Sequence, residues 1–154
     1  MDKLELRIDS ADKLQEQWVL DDYDPDEIPH IRLVRIFING QDLKKIVTDI
    51  EKPYMIESGC SPDDADYSHN TVERMKFQFE QLSDETSYSS KYGIELFCCP
   101  DCGVGGCWSV MCHFRAENDV VYMERFYHNH RDWKYDLSYC FTRENFEAEI
   151  QKLK

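Results

Sequence analysis

An α+β fold is predicted by three features of this 154-residue chain: an antiparallel sheet, with a β-meander in its second half, packed by two or three helices including a C-terminal helix. Residues 92–99, 107–114 and 120–126 are three apolar, strand-like runs separated by a glycine-rich turn and by Ala116-Glu117-Asn118-Asp119, which is the pattern of a meander. Leu43, Ile46, Val47 and Ile50 recur at helical spacing, with Lys44 and Lys45 outward. Thr142 is a good amino-terminal cap, with Phe141 and Phe146 placed to staple across it.

In chain order, residues 3–8 alternate as a short strand with Leu4, Leu6 and Ile8 on one face. Residues 11–20 allow a helical turn or two, and Asp21-Asp22-Tyr23-Asp24-Pro25-Asp26 reads as a loop. Residues 31–38 are β-branched and apolar on both faces, interrupted by Arg32 and Arg35, and suit a strand covered on both sides. Asn39-Gly40 is a turn signal. The helix of residues 41–51 should stop at Pro53. Residues 58–70, rich in Ser, Asp and Pro, read as a long loop, whereas residues 71–82 fit a helix or, through Met75, Phe77 and Phe79, an alternating strand. Phe146, Ile150 and Leu153 form the buried stripe of the last helix.

Composition bounds the function. A chain that is 42% hydrophobic and 13% aromatic can bury a core without a metal, and its length suits a single domain over residues 1–154. No stretch approaches the roughly 20 apolar residues of a membrane span, and the amino terminus has no apolar run behind a positive start. A cytoplasmic protein is expected. Seven cysteines are an odd count for a disulfide framework, which leaves free thiols or metal ligands.

The net charge of -13 is uneven. Residues 1–30 contribute -7 and residues 57–86 contribute -6, and the remainder cancels. Such a surface repels phosphate backbones, so nucleic-acid binding is disfavoured and no membrane role is expected. The same charge can simply keep the protein soluble, or it can complement a basic protein partner through Asp21, Asp22, Asp24, Asp26, Asp63, Asp64 and Asp66.

Five of the seven cysteines lie between Cys98 and Cys112. Counted from Cys99, the spacing C-x2-C-x4-C-x4-C matches a zinc knuckle with cysteine in the histidine place, and Gly103 and Gly106 fall where a knuckle turns tightly. If residues 107–114 form a strand, however, Cys107 and Cys112 face opposite sides and lie about 17 Å apart at ~3.3 Å per residue. That detaches Cys112, which then packs with Trp108 and Phe114 as a small hydrophobe. Cys99, Cys102 and Cys107 remain as a metal site, zinc being the candidate ion, with a fourth ligand from Cys98, His128 or His130. The first expectation is nonetheless no cofactor, with the thiols of a hairpin turn serving packing alone.

The run Cys102-Gly-Val-Gly-Gly-Cys107-Trp108, followed by His130-Arg131-Asp-Trp133-Lys-Tyr135 and Phe141-Thr-Arg143 with a terminal helix, resembles a family of small uncharacterised bacterial proteins. That family shares a Cys-Gly-x-x-Gly-Cys-Trp turn, a distal Trp-x-Tyr and a phenylalanine-led last helix. The resemblance covers residues 92–154, with a weaker likeness over residues 31–51. Family members often carry a cysteine two residues before the Cys-Gly pair, where this chain has Pro100. The resemblance implies a fold more than an activity.

His128-Asn129-His130 lies just past the predicted third meander strand and reads as a surface loop. Gly-x-Ser-x-Gly, His-Glu-x-x-His, phosphate-loop and dinucleotide signatures are missing. A cysteine nucleophile with His113, His128 or His130 as base can assemble only in space. Two functions are therefore expected to compete. One is a non-enzymatic acidic protein-binding protein, most concretely an immunity protein that neutralises a basic bacterial toxin. The other is a small zinc-binding or thiol-dependent protein or enzyme using the Cys99–Cys107 turn, the non-enzymatic class being the one favoured.

Overall fold

The computed structural model describes residues 1–82 and 93–154; the start predicted for one strand at Tyr92 lies outside the described residues. Two antiparallel sheets and five α-helices among those residues give the expected α+β architecture. The first sheet joins β1 (Leu4–Ser10), β2 (Arg32–Ile38) and the two-residue β3 (Gln41–Asp42) in sequence order. Between β1 and β2 lie two short helices, α1 (Ala11–Leu14) and α2 (Gln17–Asp22). Asp21 and Asp22 thus end a helix, and the acidic loop begins only after them. Asn39-Gly40 makes the turn from β2 into β3, and Asp42 caps α3 (Leu43–Glu57) by accepting from the Lys44 N–H at 3.0 Å.

Helix α3 runs through Pro53, contrary to the stop expected there. A proline inside a helix removes one hydrogen bond and costs roughly 3 kcal/mol. Contacts on both sides of it hold the helix together: Glu51 and Met55 are buried, and Tyr54 stacks on Trp133 with ring centroids 5.6 Å apart. The segment after α3 is not a structureless loop either. It contains a 3-10 turn at Pro62–Asp64 and the short strand β4 (Ser68–His69), and it leads to α4 (Val72–Glu80), which resolves the ambiguous segment as a helix.

The second sheet runs β4, β5 (Ile94–Cys98), β6 (Val110–Glu117), β7 (Val120–His128), β8 (Tyr139–Thr142). Strand β6 begins at Val110, so Cys107 and Trp108 precede it, and its alternation buries Val110, Cys112, Phe114 and Ala116. Strand β7 carries a bulge: Met111 pairs with Tyr127 and His113 with Glu124, so Arg125 and Phe126 together oppose Cys112. Arg125 sits at φ 56°, and the buried positions switch from Val121 and Met123 to Phe126 and His128. A bulge inserts one residue and re-aims every side chain after it. This is why His128 is a buried strand residue and not part of a surface loop.

Helix α5 (Arg143–Gln151) starts at Thr142, whose hydroxyl accepts from Asn145 N–H at 3.0 Å. It packs Phe146 against Phe79 and Phe114. Its polar side chains serve β1: Asn145 Oδ1 accepts from Leu4 N–H at 2.8 Å and Glu149 from Leu6 N–H at 2.7 Å. One apolar cluster spans both sheets, α3, α4 and α5, and a smaller one gathers Ala11, Trp18, Val19, Ile28 and Leu33.

Candidate metal centre

The cysteine turn joins β5 to β6. Gly103 N–H donates to Cys99 O at 2.9 Å, closing the first part of the turn, and Gly103 and Gly106 take φ +65° and +81°. These are left-handed conformations that favour glycine. Gly103 is doubly constrained, because a Cβ there would overlap the indole of Trp18 from α2, whereas the space at Gly106 is open.

Polar contacts hold this turn from several sides. Glu95 on β5 is buried, and its Oε2 accepts from Gly106 N–H at 3.0 Å and from the Ser109 hydroxyl at 2.8 Å. Arg74 donates to Gly103 O at 2.8 Å. Asn129 donates to Gly106 O at 2.9 Å and accepts from Ser109 N–H at 2.9 Å. The loop is therefore shaped by protein groups before any ion is considered.

On this frame the thiols of Cys99, Cys102 and Cys107 converge, all three sulfurs lying within 4.8 Å of one another. A tetrahedral zinc with Zn–S bonds of about 2.3 Å requires sulfurs roughly 3.8 Å apart, so a small contraction of these side chains fits the ion. The electrostatics favour the thiolate at Cys99 and oppose it at Cys107. Burial opposes ionisation of Cys99, but the backbone N–H groups of Cys102 and Asp101 and the thiols of Cys102 and Cys107 all point at its sulfur and leave its pKa below the ordinary value. N–H groups directed at a cysteine sulfur stabilise thiolate, the form that binds metal. Cys107 is exposed and, through its contacts with Cys102 and Cys99, is pushed up to about 11.

The other cysteines stay apart. Cys112 is fully buried in the main core and its thiol is held well above the ordinary range by burial. Burial likewise pushes Cys98 up to about 12, and its Sγ faces the carbonyls of Ser68 and His69 at 3.6 and 3.8 Å. Cys60 is exposed after α3 and Cys140 half-buried on β8. The four-cysteine knuckle is thus not formed, and among the described residues the three-thiol set is the one group with ligand geometry.

Beside the turn, and sharing Pro100 and Asp101 with it, lies an open depression of about 870 Å³. Of the acidic residues singled out in the sequence, Asp63, Asp64 and Asp66 line it; Asp21, Asp22, Asp24 and Asp26 are exposed but outside it. Basic groups answer part of this charge: Lys44 pairs with Asp66 at 2.9 Å, and Asp49 with Lys45 and Lys52 at 2.7 and 3.1 Å.

Sequence reasoning missed a polar cluster on the wall of the depression. Glu16, between α1 and α2, accepts from His69 Nδ1, from the Ser68 hydroxyl and from His69 N–H at 2.9 Å. Burial would raise its pKa, but the hydrogen bonds from His69 and Ser68 hold it below the usual carboxylate range. These residues stand 53 positions apart with no local motif to connect them. No family model, curated protein or solved structure matches the chain.

Proposed function

We propose that this protein is a zinc-binding protein in which Cys99, Cys102 and Cys107 hold the ion and fix the turn that borders the depression. The observation carrying this reading is the convergence of three thiols from a seven-cysteine chain, one buried, one half-buried and one exposed, on a single hydrogen-bonded turn. Zinc suits such a site because it accepts thiolate ligands at tetrahedral angles without redox chemistry. Three of the four positions come from the turn itself, so the ion would tie the end of β5 to the approach to β6. Metal analysis of full-length protein purified without added zinc tests this. Near-stoichiometric zinc, lost in Cys102→Ser, is expected; protein that neither carries nor takes up zinc sinks the reading.

A second reading concerns the acidic surface: a protein-binding role, most concretely an immunity protein for a basic toxin. It is favoured by one observation, that Glu16 from the first acid-rich stretch and Asp63, Asp64 and Asp66 from the second border the same depression. Charge complementarity of this kind speeds association and suppresses wrong partners. Reversal of Asp63 and Asp64 to Lys should abolish protection of cells expressing any basic toxin that the native protein neutralises. Unchanged protection, or no protection by the native protein, removes this reading and leaves the zinc reading untouched.

A further inference from the structure

A zinc ion held by three thiolates has a fourth position to fill. Cys98 is turned away, its sulfur occupied by the carbonyls of Ser68 and His69. His128 is buried against Trp108 and Trp133, with centroids 4.1 and 5.0 Å away, and its Nδ1 accepts from His130 N–H at 3.0 Å. Asp101, though within the turn, lines the neighbouring depression. His130 differs from all three. Its ring is exposed, and its Nε2 lies 2.8 Å from the carbonyl oxygen of Gly106, one peptide unit from Cys107.

We propose that His130 supplies the fourth zinc ligand through Nε2, an inference that rests on the zinc reading above. Its backbone is already in register with the turn, because Asn129 bridges Ser109 N–H and Gly106 O on one side and His128 Nδ1 anchors His130 N–H on the other. In the present arrangement its nitrogens are not grouped with the three sulfurs, so the ring has to swing from the Gly106 carbonyl toward them. When Nε2 leaves the Gly106 carbonyl, that oxygen keeps its hydrogen bond from Asn129 at 2.9 Å, so no acceptor is orphaned. Nε2–H donates to the carbonyl in the metal-free form; as a ligand Nε2 gives up that proton, the ring carries one on Nδ1, and the thiol protons pass to solvent.

The test uses the full chain under reductant with Co²⁺ as a visible probe and a chromophoric chelator to measure zinc affinity. The native protein should show thiolate charge transfer and tetrahedral d–d bands. His130→Ala should shift those bands and weaken zinc by ~10-fold or more, the scale on which metal-site partners act. His130→Cys should recover affinity with stronger charge transfer, and Asp101→Asn should behave as native. A His130→Ala protein with native bands and affinity overturns the assignment, as does a loss confined to Asp101→Asn. A native protein that takes up no cobalt overturns the zinc reading itself.

Discussion

The hydroxyl of Tyr67 donates to Oε2 of the buried Glu51 at 2.6 Å, and Tyr135 donates to the same oxygen at 2.6 Å. Burial raises the Glu51 pKa to about 7, against the opposing effect of the two hydroxyls. The ring of Tyr67 also lies 6.5 Å from that of His128, where burial, with smaller contributions from Arg131 and His130, lowers the pKa to about 4. One tyrosine therefore neighbours a carboxyl that resists losing its proton and an imidazole that resists gaining one.

These two groups pull stability in opposite directions. The Glu51 carboxyl ionises first in the unfolded chain, so its contribution is full below pH ~4.5 and is lost as pH rises toward 7, by roughly 3 kcal/mol. His128 protonates first in the unfolded chain, so its contribution is full above pH ~6.5 and is lost as pH falls toward 4, by a similar amount. Between pH 4.5 and 6.5 the two slopes offset each other. Urea unfolding across pH should show the deficit of Glu51→Gln relative to native shrinking as pH rises from 4.5 to 7. The deficit of His128→Gln should shrink as pH falls from 6.5 to 4. Deficits independent of pH would contradict both assignments.

Cys107 and Cys112 should separate cleanly in experiment. Cys112 is fully buried among apolar side chains, so Cys112→Ser places a hydroxyl there and should cost about 1–3 kcal/mol in denaturant unfolding, with metal content unchanged. Cys107 is exposed, so Cys107→Ser should leave metal-free stability within about 0.5 kcal/mol while abolishing stoichiometric zinc. The reverse pattern would move the metal site away from the turn.

The two turn glycines offer a graded test of how the turn meets α2. Gly106→Ala meets open space and should cost about 1–2 kcal/mol for its left-handed backbone. Gly103→Ala adds a collision with the Trp18 indole to the same backbone penalty and should cost more. It should also change the Trp18 fluorescence, which Gly106→Ala should not. Equal costs with unaltered emission would mean that the turn does not rest on Trp18.

Much of the fold was legible because it is local: the alternation of β1, the Thr142 cap of α5, and the glycines of the cysteine turn are set by neighbours in sequence. The grouping of Cys99, Cys102 and Cys107 was legible for the same reason, since all three sit within nine consecutive positions. What escaped depends on distant contacts. Pro53 reads as a stop until Tyr54 finds Trp133, and Glu16 reads as one more surface acid until His69 arrives beside it. The detachment of Cys112 was anticipated, although the reason differs: Cys107 lies ahead of β6 instead of on its opposite face.

The bulge at Arg125 is the feature least visible in the sequence, and it decides where His128 points. Without it, period-two alternation from Val121 and Met123 would continue to residues 125 and 127, and His128 would face outward. Arg125 adopts φ 56°, a region costing a non-glycine residue about 1 kcal/mol and a β-branched one more. Arg125→Gly should therefore keep the fold with stability unchanged or raised by up to ~1 kcal/mol. Arg125→Val should destabilise by about 1–3 kcal/mol and loosen the packing of His128 against Trp108 and Trp133. Denaturant unfolding with tryptophan emission reads both effects; a valine variant as stable as native, with unchanged emission, would show that the strand does not rely on this conformation to bury His128.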